Sequence, residues 1–244
     1  MQNDVKRPLT EDEMAGRVAR EIKDGACINL GAGMPFRVAQ KINDQDCINR
    51  GAGASLPASR YVPQGVSAMV QIEHGILGIG SAAQGPFRDR DIMGLGRNPL
   101  TAVPGSACFS SIEAFTMLRG GHIDLSVLGA FQVSEKGDLA NWLIPGQCPL
   151  IGGAMDIVGH VGRLIVMMNH VTRNGEPKIL NACTLPVTGC GVVDMIVTDM
   201  AVIDVKPEGL VLRELSPGYT LEEIQAITEP RLIVSPDLRE IPVT

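Results

Sequence analysis

Aromatic residues are scarce in this chain: five Phe, two Tyr and one Trp among 244 residues, or 3%. Its core must therefore be built from aliphatic side chains and methionine. The six cysteines, Cys27, Cys47, Cys108, Cys148, Cys183 and Cys190, contain no Cys-x-x-Cys pair, and the four histidines no His-x-x-x-His. That spacing excludes the usual structural zinc sites. The cysteines are expected to be reduced and mostly packed in the core as small hydrophobes. No apolar run approaches the roughly 18–20 residues that span a bilayer. Basic residues are outnumbered, with 21 Lys and Arg against 27 Asp and Glu and a net charge of −6. Without a Lys/Arg run, the chain lacks the footprint for nucleic acid or for an anionic membrane. Met1-Gln2-Asn3-Asp4 has neither the basic nor the apolar region of a secretory leader, so a cytoplasmic location is expected.

What is abundant points to one fold class. Apolar residues make up 45% and glycines number 28, the profile of buried parallel strands joined to helices by tight glycine turns. Thr10-Glu11-Asp12-Glu13 reads as a capping box, followed by Met14, Val18 and Ile22 along one helix face. Residues 27–30 predict a strand and Gly31-Ala32-Gly33 a turn. Pro35 suits the first position of a second helix, to about residue 42. Further strands are expected over 66–72, 123–128, 164–168, 195–198, 201–205 and 210–214, with a glycine-rich turn over 73–80. Residues 81–105 and 137–153 predict loops. Ser110-Ser111-Ile112-Glu113 and Thr220-Leu221-Glu222-Glu223 cap two more helices. No linker divides residues 1–244, and the expectation is a single α/β domain.

One segment is copied. Ile22, Asp24, Cys27, Ile28, Asn29, Gly31, Ala32 and Gly33 recur 20 residues later as Ile42, Asp44, Cys47, Ile48, Asn49, Gly51, Ala52 and Gly53. Two copies fall short of the three or so repeats that make a solenoid, so a local tandem duplication within 22–53 is the better description.

Neither glycine loop completes the dinucleotide fingerprint, and no P-loop Gly-Lys-Ser/Thr occurs. Tight turns and an oxyanion cradle both remain open for these loops. Glu73 follows an apolar strand, at the end where ligands bind in open α/β sheets, and small residues follow it. A carboxylate there can serve as base, ligand or nucleophile, or form a strand-end salt bridge. No Gly-x-Ser-x-Gly elbow supports a serine hydrolase.

Longer motifs carry a family resemblance over residues 10–228. They are Asn29-Leu30-Gly31-Ala32-Gly33-Met34-Pro35, Pro104-Gly105-Ser106-Ala107, Arg119-Gly120-Gly121-His122-Ile123-Asp124-Leu125 and Gly137-Asp138-Leu139-Ala140-Asn141-Trp142-Leu143-Ile144-Pro145. Gly152-Gly153-Ala154-Met155-Asp156, Leu185-Pro186-Val187-Thr188-Gly189 and Thr198-Asp199-Met200-Ala201-Val202 continue the match. The chain resembles the β subunit of family I 3-oxoacid CoA-transferases. The resemblance implies an open, mainly parallel sheet with helices on its faces, a fold shared with sugar-phosphate isomerases. It makes Glu73, in Ile72-Glu73-His74-Gly75-Ile76-Leu77-Gly78, the nucleophile that becomes a glutamyl-CoA thioester. Gly152 and Gly153 become the oxyanion and CoA loop. His74, Gly75, Gly31, Gly33, Gly51, Gly53, Arg97 and Asn141 become pocket candidates. It further implies a separate α subunit in an α2β2 assembly, acyl-CoA and carboxylic acid substrates, no metal and no organic cofactor, coenzyme A itself being a substrate.

The chain departs from the family pattern near the site. His74 stands where the family has Asn, Leu150-Ile151-Gly152-Gly153 lacks one glycine of the family's Gly-Met-Gly-Gly, and Arg97 replaces a lysine. Asn169-His170 replaces a common Glu-His, and the duplication adds about 20 residues upstream of the nucleophile. These changes bear on acyl specificity more than on fold. Two alternatives follow from them: a drifted enzyme that hydrolyses acyl-CoA, and a non-catalytic partner that only binds it.

Overall fold

The structure is a computed structural model and describes residues 6–31, 34–38, 67–83, 89–94, 99–149 and 151–242. Five strands form its parallel centre: β1 (Ala26–Leu30), β2 (Ala68–Ile72), β5 (Leu125–Leu128), β8 (Leu164–Met168) and β10 (Met195–Thr198). They lie in the order β10-β8-β5-β1-β2 with every pairing parallel. Antiparallel strands extend the sheet on both sides. Beyond β2 come β3 (Ile76–Ala82) and β4 (Leu100–Cys108). Beyond β10 come β11 (Ala201–Lys206) and β12 (Gly209–Leu215), and β13 (Ile233–Glu240) pairs parallel with β12 at the edge. A second, three-stranded sheet joins β6 (Gln132–Ser134), β7 (Leu139–Ala140) and β9 (Ile179–Leu180).

The two-residue period of a strand sorts the core onto two faces. Ile28, Leu30, Leu125, Val127, Ile165, Met167, Met195 and Val197 pack on one side. There they meet Met14, Ala15 and Val18 of helix α1 (Glu11–Ala19). Leu128, Leu164, Val166, Met168 and Ile196 pack on the other. That face is covered by Leu118 of α2 (Ser111–Arg119), Ile157 of α3 (Ala154–Ile157) and Ile224 of α4 (Leu221–Ala226). Burial on both faces is why the central strands read as mostly apolar runs. One polar row interrupts them. Asn29 Nδ2 donates to Gln71 Oε1 (2.7 Å), Ser126 Oγ to Asn29 Oδ1 (3.3 Å), and Gln71 Nε2 to the Ala114 carbonyl (3.2 Å). These residues are in register across β5, β1 and β2. A slip by one residue would strand three buried polar groups, so the row fixes the register.

All three capping boxes form, at Thr10, Ser110 and Thr220. Strands β8 and β10 match their expected bounds. Several expectations need correction. The turn after β2 is confined to residues 73–75, and the glycine-rich stretch continues as strand β3, bending through Gly78 at φ +81°. The end of the expected 81–105 loop is strand β4, which closes one edge of the sheet and is largely exposed beyond Leu100. The strand expected over 123–128 starts at Leu125, and β7 lies within the expected 137–153 loop. After Gly31 the chain makes a 3-10 turn at Met34–Phe36; most of the second expected helix, and the second copy of the duplication, lie outside the described residues. The cysteines are not a core set: Cys108, Cys148 and Cys190 are exposed and Cys27 and Cys183 half-buried, all unbridged. Cys47 lies outside the described residues. No helix among the described residues is long and apolar enough to cross a membrane.

Candidate active site

Four adjacent parallel strands end side by side. β1 runs out at Leu30 into Gly31, β2 at Ile72 into Glu73, β5 at Leu128 into Gly129, and β8 at Met168 into Asn169. Their carboxyl ends frame a cavity of about 520 Å³, where ligands settle in open α/β sheets. Glu73, Gly31, Asn141, Gly152, Gly153 and Lys178 line it, with Met34, Pro35 and Phe131 supplying apolar wall.

Glu73 is the first residue of the turn that joins β2 to β3. Gly75 closes that turn through its N–H to the Ile72 carbonyl (3.0 Å), and its own carbonyl accepts from Phe109 N–H (2.9 Å). Its φ of +103° suits glycine, and a Cβ would overlap the Phe109 carbonyl. Gly75 thus holds the turn that carries the carboxylate and does not line the cavity.

The Glu73 carboxylate lies against Gly153. The Gly153 N–H lies close enough to favour its charge, and a Cβ on Gly153 would overlap Oε2 and stand 2.5 Å from Cδ. Gly153 has an ordinary right-handed φ of −79°, so its need for glycine comes from this contact alone. Gly152 before it takes the left-handed φ of +52° that turns the loop into α3. Burial raises the Glu73 carboxyl above its usual range; nearby His74 and the Gly153 N–H oppose the rise, and Asp156 adds to it. Asp156 is held by Arg119 of α2 through Nε (2.8 Å) and Nη2 (2.5 Å).

The remaining sequence candidates divide. Gly31 lines the cavity with its N–H on the Val127 carbonyl (2.9 Å); a Cβ there would press on Leu128. Asn141 is fixed at both ends of its amide, Nδ2 donating to the Gly129 carbonyl (3.2 Å) and Oδ1 accepting from Thr188 Oγ1 (2.6 Å). His74 is exposed and does not line the cavity; its Nε2 donates to the Met93 carbonyl (2.5 Å), tying the turn of Glu73 to the following segment. Gly33, Gly51, Gly53 and Arg97 lie outside the described residues. Lys178 went unnoticed in the sequence. Its neighbours Arg173, Asn174 and Glu176 have the look of any polar loop, and its half-buried place on the cavity wall, just before β9, is what distinguishes it. No cluster of three or more His, Cys, Asp and Glu side chains able to hold a metal occurs among the described residues.

A carboxylate that lines a cleft beside a glycine backbone N–H can attack an electrophilic carbonyl. The same N–H is placed to meet negative charge as it develops. Comparison with known proteins places the chain among coenzyme A transferases. The chain is 43% identical over 223 residues to the B subunit of a probable succinyl-CoA:3-ketoacid coenzyme A transferase of Bacillus subtilis, covering 91% of this chain and 94% of that one. It is 38% identical over 231 residues to the B subunit of the 3-oxoadipate CoA-transferase of Pseudomonas putida, covering 94% and 99%. In fold it is similar to an acyl-CoA transferase (YdiF) of Escherichia coli O157:H7, with a TM-score of 0.71 at 19% identity. That match covers 97% of this chain and 44% of that larger one. The family model for coenzyme A transferase matches residues 11–226, and the chain belongs to that family.

Proposed function

We propose that this chain is the β subunit of a CoA-transferase that moves CoA from an acyl-CoA, such as succinyl-CoA, to a 3-oxoacid or short-chain carboxylic acid through a glutamyl-CoA thioester on Glu73. The contact between the Glu73 carboxylate and Gly153 carries the reading. The ionised carboxylate attacks the thioester carbonyl; the C–S bond breaks and CoA leaves as thiolate. The thiolate then attacks the Glu73 carbonyl of the mixed anhydride. The first acid departs as carboxylate, and the enzyme is left as a thioester. An incoming carboxylate runs the same steps backwards, giving ping-pong kinetics. Each step exchanges one nucleophile for one leaving group, so no metal or organic cofactor is required. The Gly153 N–H would stabilise the tetrahedral oxyanions, and the apolar wall of Met34, Pro35 and Phe131 would keep water from the thioester. An α subunit, in an α2β2 assembly, would supply the rest of the CoA site; the naming of the relatives as B subunits supports this. Residues 1–244 would act as one domain of that assembly in the cytoplasm.

Intact-mass spectrometry of the chain, purified with its partner and mixed with several acyl-CoAs, tests the mechanism. The expected result is a mass gain equal to bound CoA that is absent in Glu73→Ala. A well-formed complex that shows no adduct with any donor would overturn it. Acyl-CoA loss without an acceptor acid would identify a hydrolase instead.

A further inference from the structure

Lys178 is a built part of the cavity wall rather than a surface lysine that happens to reach it. Its backbone is pinned on both sides, the N–H to the His170 carbonyl (3.3 Å) and the carbonyl from Val133 N–H (3.0 Å). Its side chain is half-buried in the cavity that holds Glu73. Among the described residues no carboxylate lies within 4.0 Å of its ammonium, so it forms no ion pair there. Asp199 favours its charge from farther off. That carboxylate is itself engaged, accepting from His170 N–H (2.8 Å) and from the Asn169 amide. Asn169, also on the cavity wall, is neutral where the family resemblance leads one to expect an acid. Burial lowers the ammonium pKa to about 8, which leaves it charged at neutral pH and short of a counterion.

The reacting carboxylate of a substrate loses its charge when it becomes an acyl group, and so cannot be what this cation serves throughout the cycle. A second carboxylate, away from the reacting end, keeps its charge in every intermediate. Resting on the Glu73 reading above, we propose that Lys178 is the specificity-determining residue for the acyl group. It binds the distal carboxylate of a dicarboxylic substrate, and Asn169 leaves it free to do so. Charge-assisted hydrogen bonds in a partly desolvated site are the strong ones.

Binding rather than turnover tests this, so the answer does not depend on Glu73 chemistry. Calorimetric titration of succinate and of butyrate, equal in carbon number but differing in the second carboxylate, is made on the full chain purified with its partner. The native protein is expected to prefer succinate. Lys178→Met is expected to lower the succinate-to-butyrate preference about 10- to 100-fold, the scale of one charge-assisted hydrogen bond. Lys178→Arg should retain most of it. Asn169→Glu, which leaves the lysine in place and adds an internal carboxylate to the same wall, should lower it too. A preference unchanged within about threefold in both Lys178→Met and Asn169→Glu overturns the assignment. A lost preference in a protein that forms no Glu73 adduct would keep the diacid site and sink the transfer mechanism. An adduct with no lysine-dependent preference would do the reverse.

Discussion

A methyl group on Gly153 would overlap Oε2 of Glu73, and one on Gly75 would overlap the Phe109 carbonyl. The consequences differ because the backbones differ. Gly153 has a φ that alanine adopts freely, and the Glu73 carboxylate is what a Cβ there would meet. Gly75 sits at φ +103° with main chain in the way. Gly153→Ala is therefore expected to keep the fold and its melting temperature to within a few degrees while lowering kcat/KM about 10²- to 10³-fold, the usual cost of disturbing one oxyanion donor. Steady-state kinetics beside a thermal melt checks this; equal loss in stability and rate would make Gly153 merely structural. At this scale the sequence showed Glu73 through its place after an apolar strand, and Gly153 through its motif. It assigned Gly75 to the pocket because glycines that shape a turn and glycines that admit a ligand are the same letter. Lys178 was hidden because its meaning depends on which loop β9 folds against.

Among elements, the tie between α1 and the far side of the sheet is ionic. Arg17 is 4% exposed and Glu214 1%, joined from Nε to Oε2 at 2.6 Å. Arg17 also reaches Glu21 (2.7 Å), and Arg239 of β13 reaches Glu214 (2.6 Å). Taking one partner away leaves a buried charge that a mostly exposed Arg239 only partly answers. Arg17→Met is expected to cost about 3 kcal/mol in urea unfolding, and Arg17→Met with Glu214→Leu to recover much of it. If the double variant is as unstable as the single, packing of the arginine stem is the cause instead. Strand β13 was missed in the sequence for a related reason: Ser235, Pro236, Asp237 and Arg239 read as loop, and its strand character comes from pairing with β12 and from Glu214. The same holds for β4, where Pro104, Gly105 and Ser106 are tolerated because an edge strand has one side unpaired. The central strands were legible because burial on two faces leaves little room for polar letters beyond the Asn29, Gln71 and Ser126 row.

For the molecule as a whole, acid stability turns on His170. Its ring is fully buried, with Thr198 Oγ1 and Thr228 Oγ1 each 2.9 Å from a ring nitrogen. Burial, helped by the Lys178 charge, lowers its pKa from 6.5 to about 4. The unfolded chain takes a proton that the folded one refuses, so stability is full above about pH 6.5 and falls as pH drops toward 4. The loss is on the order of 3 kcal/mol. Urea midpoints between pH 4 and 7 are expected to fall in the native protein and to stay flatter in His170→Gln; parallel curves would assign the acid loss to carboxylates. One further consequence lies in the parallel ladder between β1 and β2. Four residue pairs, from Ala26–Ala68 to Asn29–Gln71, fix these strands against each other, and Asn29 and Gln71 lock the alignment. The first copy of the duplicated segment contains β1 itself, and the second, residues 42–53, falls between the two strands in the chain. Because closing a longer loop costs only about 0.6 kcal/mol per doubling of its length, this crossover is a slot in which the chain can gain or shed residues over evolutionary time. Glu73, carried on the turn after β2, keeps its address.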